Sequence, residues 1–236
     1  MNQLYNDDCF EYMKKISNKI KFDAIITDPP YGINYNKNEW DKKNNINWKF
    51  LFLQLNNILK KNGNMIIFAG WSNVCNVIKE AQNSDFILKN WIAWDRQKCG
   101  NPGNNLTSTK EEILWFIKKE NNSICFNKID SKISKKTKGY GVKNGSEFRR
   151  LSNVWSDISG ISYMSKEYQG NDCQKPVELM ERCINLWTNE NDFVFDCFMG
   201  SGATGMACQN LNRNFIGIEK DKKVFNKAKK RLKNEN

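Results

Sequence analysis

The sequence predicts an α/β fold built on a largely parallel sheet, and three observations support this prediction. Short apolar runs alternate with segments of helical periodicity along most of the 236 residues. One apolar run, at 22–30, is stopped by two prolines, and another, at 192–198, leads into a glycine-rich turn. A chain of this length suits one domain with a small insertion.

The elements follow in chain order from the spacing of apolar residues. Up to residue 119 the patterns predict strand, helix, strand, helix and two antiparallel strands at a sheet edge, over 22–28, 47–61, 64–70, 72–83, 86–94 and 111–119. From residue 175 onward they predict helix, strand, helix, strand and helix, over 175–187, 192–198, 203–211, 214–219 and 221–233. Residues 120–172 are rich in Asn, Ser, Lys and Gly, so we expect an insertion or long loop between a main domain of residues 1–119 and 173–236.

The charge is strongly positive and partly local. The formal net charge is +11, and residues 118–150 carry ten Lys and Arg against three acidic residues. Residues 220–236 carry eight against two. This excess favours a polyanionic partner, although a solvated face explains it equally well. No stretch combines the charge with an apolar stripe, so we do not expect a membrane partner.

Cysteine and histidine usage restricts the chemistry. None of the eight cysteines forms a CxxC pair and there is no histidine, which disfavours a disulfide framework, a metal site and histidine-dependent triads. Reactive groups must then come from Asp, Glu, Lys, Tyr or the backbone. The N-terminal segment does not resemble a secretory signal, so we expect a cytoplasmic protein.

A glycine-rich turn, Asp196–Gly205, separates a predicted strand from a predicted helix. Gly200 and Gly202 allow a tight bend and a close approach to a ligand. The next strand ends in Glu219, where an acidic residue can accept ribose hydroxyls. The pattern indicates a nucleoside-binding site, and the alternative is a turn that only packs a helix on a strand.

The segment Asp28-Pro29-Pro30-Tyr31 ends the first predicted strand, where α/β sheets bind ligands. The prolines fix the turn and remove two N–H donors. An amino group needs two acceptors and a flat surface for its ring, which the Asp28 carboxylate, the Pro29 carbonyl and the Tyr31 ring can supply. The alternative is an ordinary turn with a capping Asp and a core Tyr.

These two motifs resemble those of a known family. Asp28–Tyr31 resembles the catalytic motif of amino-methylating DNA methyltransferases, and Asp196–Gly205 looks like their S-adenosylmethionine loop. The catalytic motif comes first, an order similar to the circularly permuted β class. Further similar segments cover nearly the whole chain outside about 120–170, namely 6–16, 38–43, 174–184 and 214–232. Cys197 and Ala203 replace the usual Pro and Thr of the loop, and we expect both replacements to be tolerated. Residues 171–173 replace a usual His-Pro-Thr, and the role of these three positions stays open.

The resemblance implies a permuted Rossmann-like methyltransferase fold, with a mostly parallel seven-stranded sheet, an antiparallel edge and a target-recognition insertion at 120–172. It implies Asp28, Pro29, Pro30 and Tyr31 as catalytic residues. Cofactor contacts are expected from Asp8, Cys9, Asp28, Lys175, Asp196, Phe198, Gly200, Ser201, Gly202, Thr204 and Glu219. Contacts with DNA or the target base are expected from Trp40, Arg149 and Arg150. Lysines 135, 136 and 138 are expected to contact phosphates or nothing. Asp8 could instead be a helix N-cap and Trp40 a core residue.

The activity implied is site-specific methylation of N6 of adenine in double-stranded DNA by base flipping, in a bacterial or phage protein. The alternatives are N4-cytosine methylation, methylation of RNA or of a protein glutamine, and a catalytically silent DNA-binding protein. A cognate restriction endonuclease and a homodimer are further partners that the resemblance suggests.

Overall fold

The computed structural model describes residues 2–17, 19–32, 46–97, 104–121, 123–134, 148–170 and 173–233. Its strands are β1 (Asn2–Tyr5), β2 (Phe22–Thr27), β3 (Leu59–Ala69), β4 (Phe86–Asp95), β5 (Lys110–Lys118), β6 (Asp130–Ser134), β7 (Phe148–Arg150), β8 (Val154–Trp155), β9 (Phe193–Asp196) and β10 (Asn214–Ile218). Its helices are α1 (Cys9–Ile16), α2 (Trp48–Ile58), α3 (Val74–Asn83), α4 (Val177–Trp187), α5 (Ala203–Asn210) and α6 (Lys222–Lys233).

The main sheet has the order β1-β10-β9-β2-β3-β5-β4-β8. Neighbours from β1 to β3 are parallel, β5 runs antiparallel to β3, and β4 runs antiparallel to β5. The predicted parallel sheet and its antiparallel pair are therefore confirmed. Because β5 reverses direction, its first residues lie at the same edge as the carboxyl ends of the parallel strands.

The expected number of seven strands is corrected to eight within the described residues. The apolar pattern predicted neither β1 nor β8, and β8 pairs in parallel with the outer strand β4 over only two residues. Such a short strand has no periodicity to reveal it. Its pairing is secured by Trp155, whose buried ring stacks on Trp187 of α4 with centroids 6.2 Å apart.

Alternation along the buried strands divides the core into two layers. Ile25 of β2 faces a cluster that includes α1, α2 and α3, whereas Ala24 and Ile26 face a cluster that includes α4, α5 and α6. Successive side chains of a strand point to opposite faces, so a central strand covered by helices on both sides must be apolar throughout. This explains the continuous apolar runs of the sequence.

The predicted helix at 47–61 ends earlier, at Ile58, and β3 follows without a loop. Leu59 has extended backbone angles, is buried, and pairs with Phe22. The register then shifts before Asn64 pairs with Ala24. Gly63 belongs to this irregular stretch, where an added Cβ would lie 2.9 Å from the Asp23 carbonyl oxygen. Glycine therefore permits a bulged strand there rather than ending the helix.

The described parts of residues 120–172 pack on α4. The backbone N–H of Asn127 donates to the Leu186 carbonyl over 2.8 Å. Asp157 and Arg182 form a buried bidentate ion pair, with both N–O distances 2.7 Å. The region expected to be an insertion or loop also contains β8 and the two-stranded sheet of β6 and β7. Among the described residues, no helix is long and apolar enough to cross a membrane.

Candidate active site

The carboxyl ends of β2 and β9 lie side by side, because these strands pair in parallel. The hydroxyl of Thr27, at the end of β2, donates to Oδ1 of Asp196, at the end of β9, over 2.7 Å. Both residues are buried. The two sequence motifs therefore meet in one site, at the edge where α/β sheets bind ligands.

The Asp28–Tyr31 turn is held against the end of β3. Asn73 donates its side-chain amide to the Tyr31 carbonyl over 3.1 Å. Gly70 lets the Tyr31 ring pack on the backbone, because a Cβ there would lie 3.1 Å from Cδ2 of the ring. The Tyr31 hydroxyl donates to Oδ1 of Asp28 over 2.8 Å. This hydrogen bond joins the side chains of the first and last residues of the turn.

Lys175 lies just before α4 and reaches the same carboxylate. Its Nζ is 2.5 Å from Oδ2 of Asp28, and its side chain is only 6% exposed. The ammonium group also lies 5.6 Å from the centre of the Tyr31 ring and 5.2 Å from that of Phe68. Lys175 was predicted as a cofactor contact, and the structure places it at the Asp28–Tyr31 turn, the catalytic turn that the resemblance implies.

Glu111 and Arg96 complete the cluster, and sequence reasoning missed both. Oε2 of Glu111 is 3.0 Å from Lys175 Nζ and 3.1 Å from the Tyr31 hydroxyl. Its other oxygen accepts a hydrogen bond from Arg96 over 3.0 Å. One feature of the sequence could have indicated Glu111. It lies at the start of a strand predicted to run antiparallel, and the first residues of such a strand lie at the same sheet edge as the carboxyl ends of the parallel strands. Two carboxylates and two cations are thus gathered around Tyr31.

Burial and mutual charge set the protonation of this cluster. Burial raises the pKa of Asp28, and the Glu111 carboxylate raises it further, against the lowering effect of Lys175. Burial likewise raises the pKa of the Tyr31 hydroxyl. For Lys175, the two carboxylates outweigh burial and raise its pKa. For Glu111, Lys175 and Arg96 outweigh burial and lower its pKa, so Lys175 and Glu111 carry opposite charges at neutral pH.

The glycine-rich loop is organised by Asp196. Its Oδ1 accepts the backbone N–H of Phe198 at 3.1 Å, and its Oδ2 accepts the Thr204 hydroxyl at 2.7 Å. Burial raises the pKa of Asp196 to about 6, against the lowering effect of these bonds and of the Thr27 hydroxyl. Asp196 and Thr204 therefore hold the loop and α5 together, and Thr204 directs its hydroxyl to Asp196.

The two glycines of the loop have different surroundings. Gly200 has φ +53°, and a Cβ there would meet nothing within 4 Å. Gly202 has φ +83°, and a Cβ there would lie 3.3 Å from Cβ of Ala228 in α6. Both conformations favour glycine. Gly200 thus borders open space beside the loop, whereas Gly202 allows α6 to pack closely.

Glu219 follows β10 and faces the loop. Its Oε2 accepts the backbone N–H of Gly200 at 3.1 Å, and its Oε1 accepts that of Asp221 at 2.7 Å. Burial raises its pKa. This carboxylate is therefore fixed next to the open side of Gly200.

The segment between β1 and α1 lies beside Glu219. The Asn6 side chain donates to the Glu219 carbonyl over 2.8 Å. Asp8 is the N-cap of α1 and accepts the backbone N–H of Phe10 at 2.9 Å, while its other oxygen is 3.1 Å from Lys220 Nζ. The N-cap alternative is thus present in the structure, and a ligand contact by Asp8 stays a prediction. Cys9 is buried, and burial raises its pKa to about 12.

Comparison with known families and structures agrees with this geometry. Residues 22–230 match the model of the N6/N4 DNA methylase family, described as DNA methylase. The chain belongs to this family. The match includes both strand ends, the glycine-rich loop and the region between β5 and α4.

Individual relatives of this DNA methylase cover almost the whole chain. The type II methyltransferase M1.MboII of Moraxella bovis is 29% identical, over 97% of this chain and 95% of its own. The crystal structure of the M1.HpyAVI–SAM complex is 32% identical, with a TM-score of 0.71, and covers 98% of this chain and 100% of that one. The PvuII cytosine-N4-specific DNA methyltransferase, at 18% identity and a TM-score of 0.70, shares the fold.

The remaining predicted residues of this DNA methylase lie in three places. Phe198 is half-buried against the core, and Ser201 is buried, with its carbonyl accepting Arg231 at 3.4 Å. Arg149 and Arg150 are exposed on β7, in the smaller sheet. Trp40 and the lysines at 135, 136 and 138 fall outside the described residues.

Proposed function

We propose that this DNA methylase transfers a methyl group from S-adenosylmethionine to N6 of adenine in double-stranded DNA. The observation that carries the proposal is that the Asp28 turn and the glycine-rich loop follow two adjacent strand ends, which are joined by the Thr27–Asp196 hydrogen bond. The family match and the M1.HpyAVI–SAM complex support the class of reaction.

The residues around Gly200 fit the proposed methyl donor. Open space borders Gly200, and the Glu219 carboxylate beside it can accept the hydroxyls of a ribose. We propose that Phe198, Gly200 and Ser201 contact the methionine part, while Asp8 and Cys9 border the adenine. Asp196, Gly202 and Thr204 act mainly by holding the loop. The bound donor would supply a methyl group on a positively charged sulfur.

The Asp28 turn fits an aromatic amino group. Such a nitrogen is a poor nucleophile because its lone pair is delocalised into the ring. Hydrogen bonds to the Asp28 carboxylate and the Pro29 carbonyl would favour a pyramidal nitrogen and stabilise the positive charge that develops on it. Acceptors that are positioned in advance contribute most when charge develops in a site shielded from water.

The target base must leave the DNA stack to reach this turn, because its amino group is inaccessible within a duplex. Stacking on the Tyr31 ring would offset part of the cost, which is on the order of a few kcal/mol. Asp28 favours adenine as the target, since enzymes that methylate cytosine N4 more often carry serine at this position of the motif.

Residues 120–172 are proposed as the target-recognition region of a main domain formed by 1–119 and 173–236. Their positive charge and the exposed arginines of β7 support this assignment. Arg149→Ala/Arg150→Ala should weaken DNA binding about tenfold and reduce the salt dependence of log K by about two. Fluorescence anisotropy at several salt concentrations measures both. Unchanged affinity and slope would remove these arginines from the interface.

The type II names of relatives support a further proposal, that the enzyme protects DNA against a cognate restriction endonuclease. Because bacterial DNA lies in the cytoplasm, the proposal places the enzyme there.

Trp40 is proposed to border the target base.

The decisive experiment is expression in a bacterial host free of DNA methylation, followed by single-molecule sequencing of the host DNA. The expected result is N6-methyladenine in one short motif, absent from cells that express Asp28→Ala. N4-methylcytosine instead would retain the mechanism and overturn the choice of base. Unmodified DNA, with folded protein that binds S-adenosylmethionine, would contradict the proposed activity.

A further inference from the structure

Glu111 is a second carboxylate within the catalytic turn's cluster. Its side chain is 11% exposed and enters the site from the antiparallel strand β5. It contacts Lys175, Tyr31 and Arg96 at 3.0–3.1 Å. A buried charge that costs desolvation free energy is retained only when its partners compensate for it. Glu111 shares two of its partners, Lys175 and Tyr31, with Asp28. This sharing suggests that Glu111 has a function in the same site.

Both oxygens of Asp28 are engaged in the structure. Oδ1 accepts the Tyr31 hydroxyl, and Oδ2 faces Lys175. An incoming amino group must compete with these donors for the lone pairs of Asp28. Glu111 Oε2 lies within hydrogen-bond distance of the same two donors, at 3.1 Å and 3.0 Å. The cluster thus contains an alternative acceptor for each group that occupies Asp28.

We propose that Glu111 is a positioning residue that holds Lys175 and the Tyr31 hydroxyl while Asp28 accepts the target amino group. This inference rests on the proposed function. Arg96 binds the other oxygen of Glu111 and fixes its orientation, leaving Oε2 for Lys175 and Tyr31.

Electrostatics supports the same role. The amino nitrogen gains positive charge during methyl transfer, and a nearby ammonium group opposes that change unless a carboxylate neutralises it. Lys175 is such an ammonium group, and its charge is shared between Asp28 and Glu111. Without Glu111, Lys175 would face Asp28 alone and would occupy the acceptor that the substrate needs.

The test is Glu111→Gln, which keeps the shape of the side chain and removes its charge. Methylation is measured with tritiated S-adenosylmethionine and genomic DNA from a methylation-free bacterium. We expect kcat to fall at least about thirtyfold, somewhat less than the roughly hundredfold loss of a direct electrostatic contribution, because Glu111 acts through its neighbours. KM for DNA and Kd for the donor should change less than about threefold. A kcat within threefold of wild type would overturn the proposal.

Glu112→Gln is the matched control. Glu112 is the next residue of β5, is 3% exposed in its side chain, and pairs with Lys110 at 2.8 Å and with the Trp91 indole at 2.6 Å. It therefore tests the loss of a neighbouring buried carboxylate outside the site. We expect its kcat to stay within about threefold of wild type. An equal loss in both variants would mean that Glu111 acts only on folding.

A double-mutant cycle with Lys175→Met separates positioning from a general structural effect. If Glu111 acts by holding Lys175, Glu111→Gln should change kcat by less than about threefold once Lys175 is Met. Losses that simply multiply would contradict the proposal.

The pH profile supplies another readout. The charged and titratable groups that face Asp28 are Lys175, Glu111 and Tyr31, and Asp196 lies at the adjacent strand end. Glu111 also faces Arg96. Removing the Glu111 charge lowers the pKa of Asp28, so the acidic limb of kcat should move to lower pH in Glu111→Gln. An unmoved limb would count against the assigned role. Inactive wild-type protein that binds the donor would overturn the proposed function itself, whereas active wild type with a fully active Glu111→Gln overturns only this inference.

Discussion

The catalytic turn and the glycine-rich loop lie at adjacent strand ends, yet different interactions hold them. Around Asp28, the contacts are largely ionic and join side chains from the turn after β2, from β5 and from Lys175, two residues before α4. Around Gly200, positive φ angles and backbone N–H groups that donate to two carboxylates, Asp196 and Glu219, determine the shape. The first region depends on charge, and under the proposed function its hydrogen bonds must exchange when a substrate arrives. The second is formed in advance, so substitutions should act there through shape.

The largest expected effect is that of Asp28→Ala on turnover. Loss of the acceptor should reduce kcat by about a thousandfold or more. Cofactor affinity should stay within a few-fold, because the glycine-rich loop is unaffected. Single-turnover methylation and calorimetric titration with S-adenosylmethionine measure the two quantities. Equal losses of turnover and affinity would abolish the distinction between the regions.

The two glycines of the loop give the next largest effect. Gly200→Ala places a methyl group in the open space beside Glu219, so donor affinity should fall about tenfold, with a cost in stability of about 1 kcal/mol from the left-handed backbone. Gly202→Ala places the methyl group against Ala228 and should mainly lower stability, by about 1–3 kcal/mol.

Calorimetric titration and chemical denaturation of both variants compare these effects. Gly202→Asp should abolish donor binding, because a side chain this large cannot fit against Ala228 at a left-handed position without distorting the glycine-rich loop. If Gly200→Ala binds the donor with wild-type affinity, the open space at Gly200 is not the donor site.

The smallest effect concerns Asp196 and pH. Its pKa of about 6 is higher than its ordinary value of 3.8, so its contribution to stability is complete below pH 3.8 and is lost as the pH rises through 6. From pH 5 to pH 8, the wild type should lose about 1 kcal/mol of unfolding free energy that Asp196→Asn does not lose. Urea denaturation at both pH values measures this difference. Parallel pH dependence in the two proteins would show that Asp196 is ionised throughout.

The sequence was sufficient to predict which strand ends form the candidate site. Asp28, Tyr31, Gly200 and Glu219 follow recognisable strand ends, and the structure brings these ends together. Glu111 could not be predicted in this way, because its role depends on the reversed direction of β5 and on contacts with Lys175, 64 positions later in the chain. β8 escaped detection because two residues carry no period. The early start of β3 depends on a bulge that local propensity does not encode.

The attachment of residues 154–158 to α4 has a consequence for changing DNA specificity. Trp155 stacks on Trp187, and Asp157 pairs with Arg182, seven positions after Lys175 in the chain. A recognition segment transplanted from a relative should therefore keep Trp155 and Asp157 as part of the recipient scaffold. If residues 120–172 recognise DNA as proposed, the unit to exchange would be the two-stranded sheet of β6 and β7, and a graft that begins or ends within β8 would disturb the helix that follows Lys175.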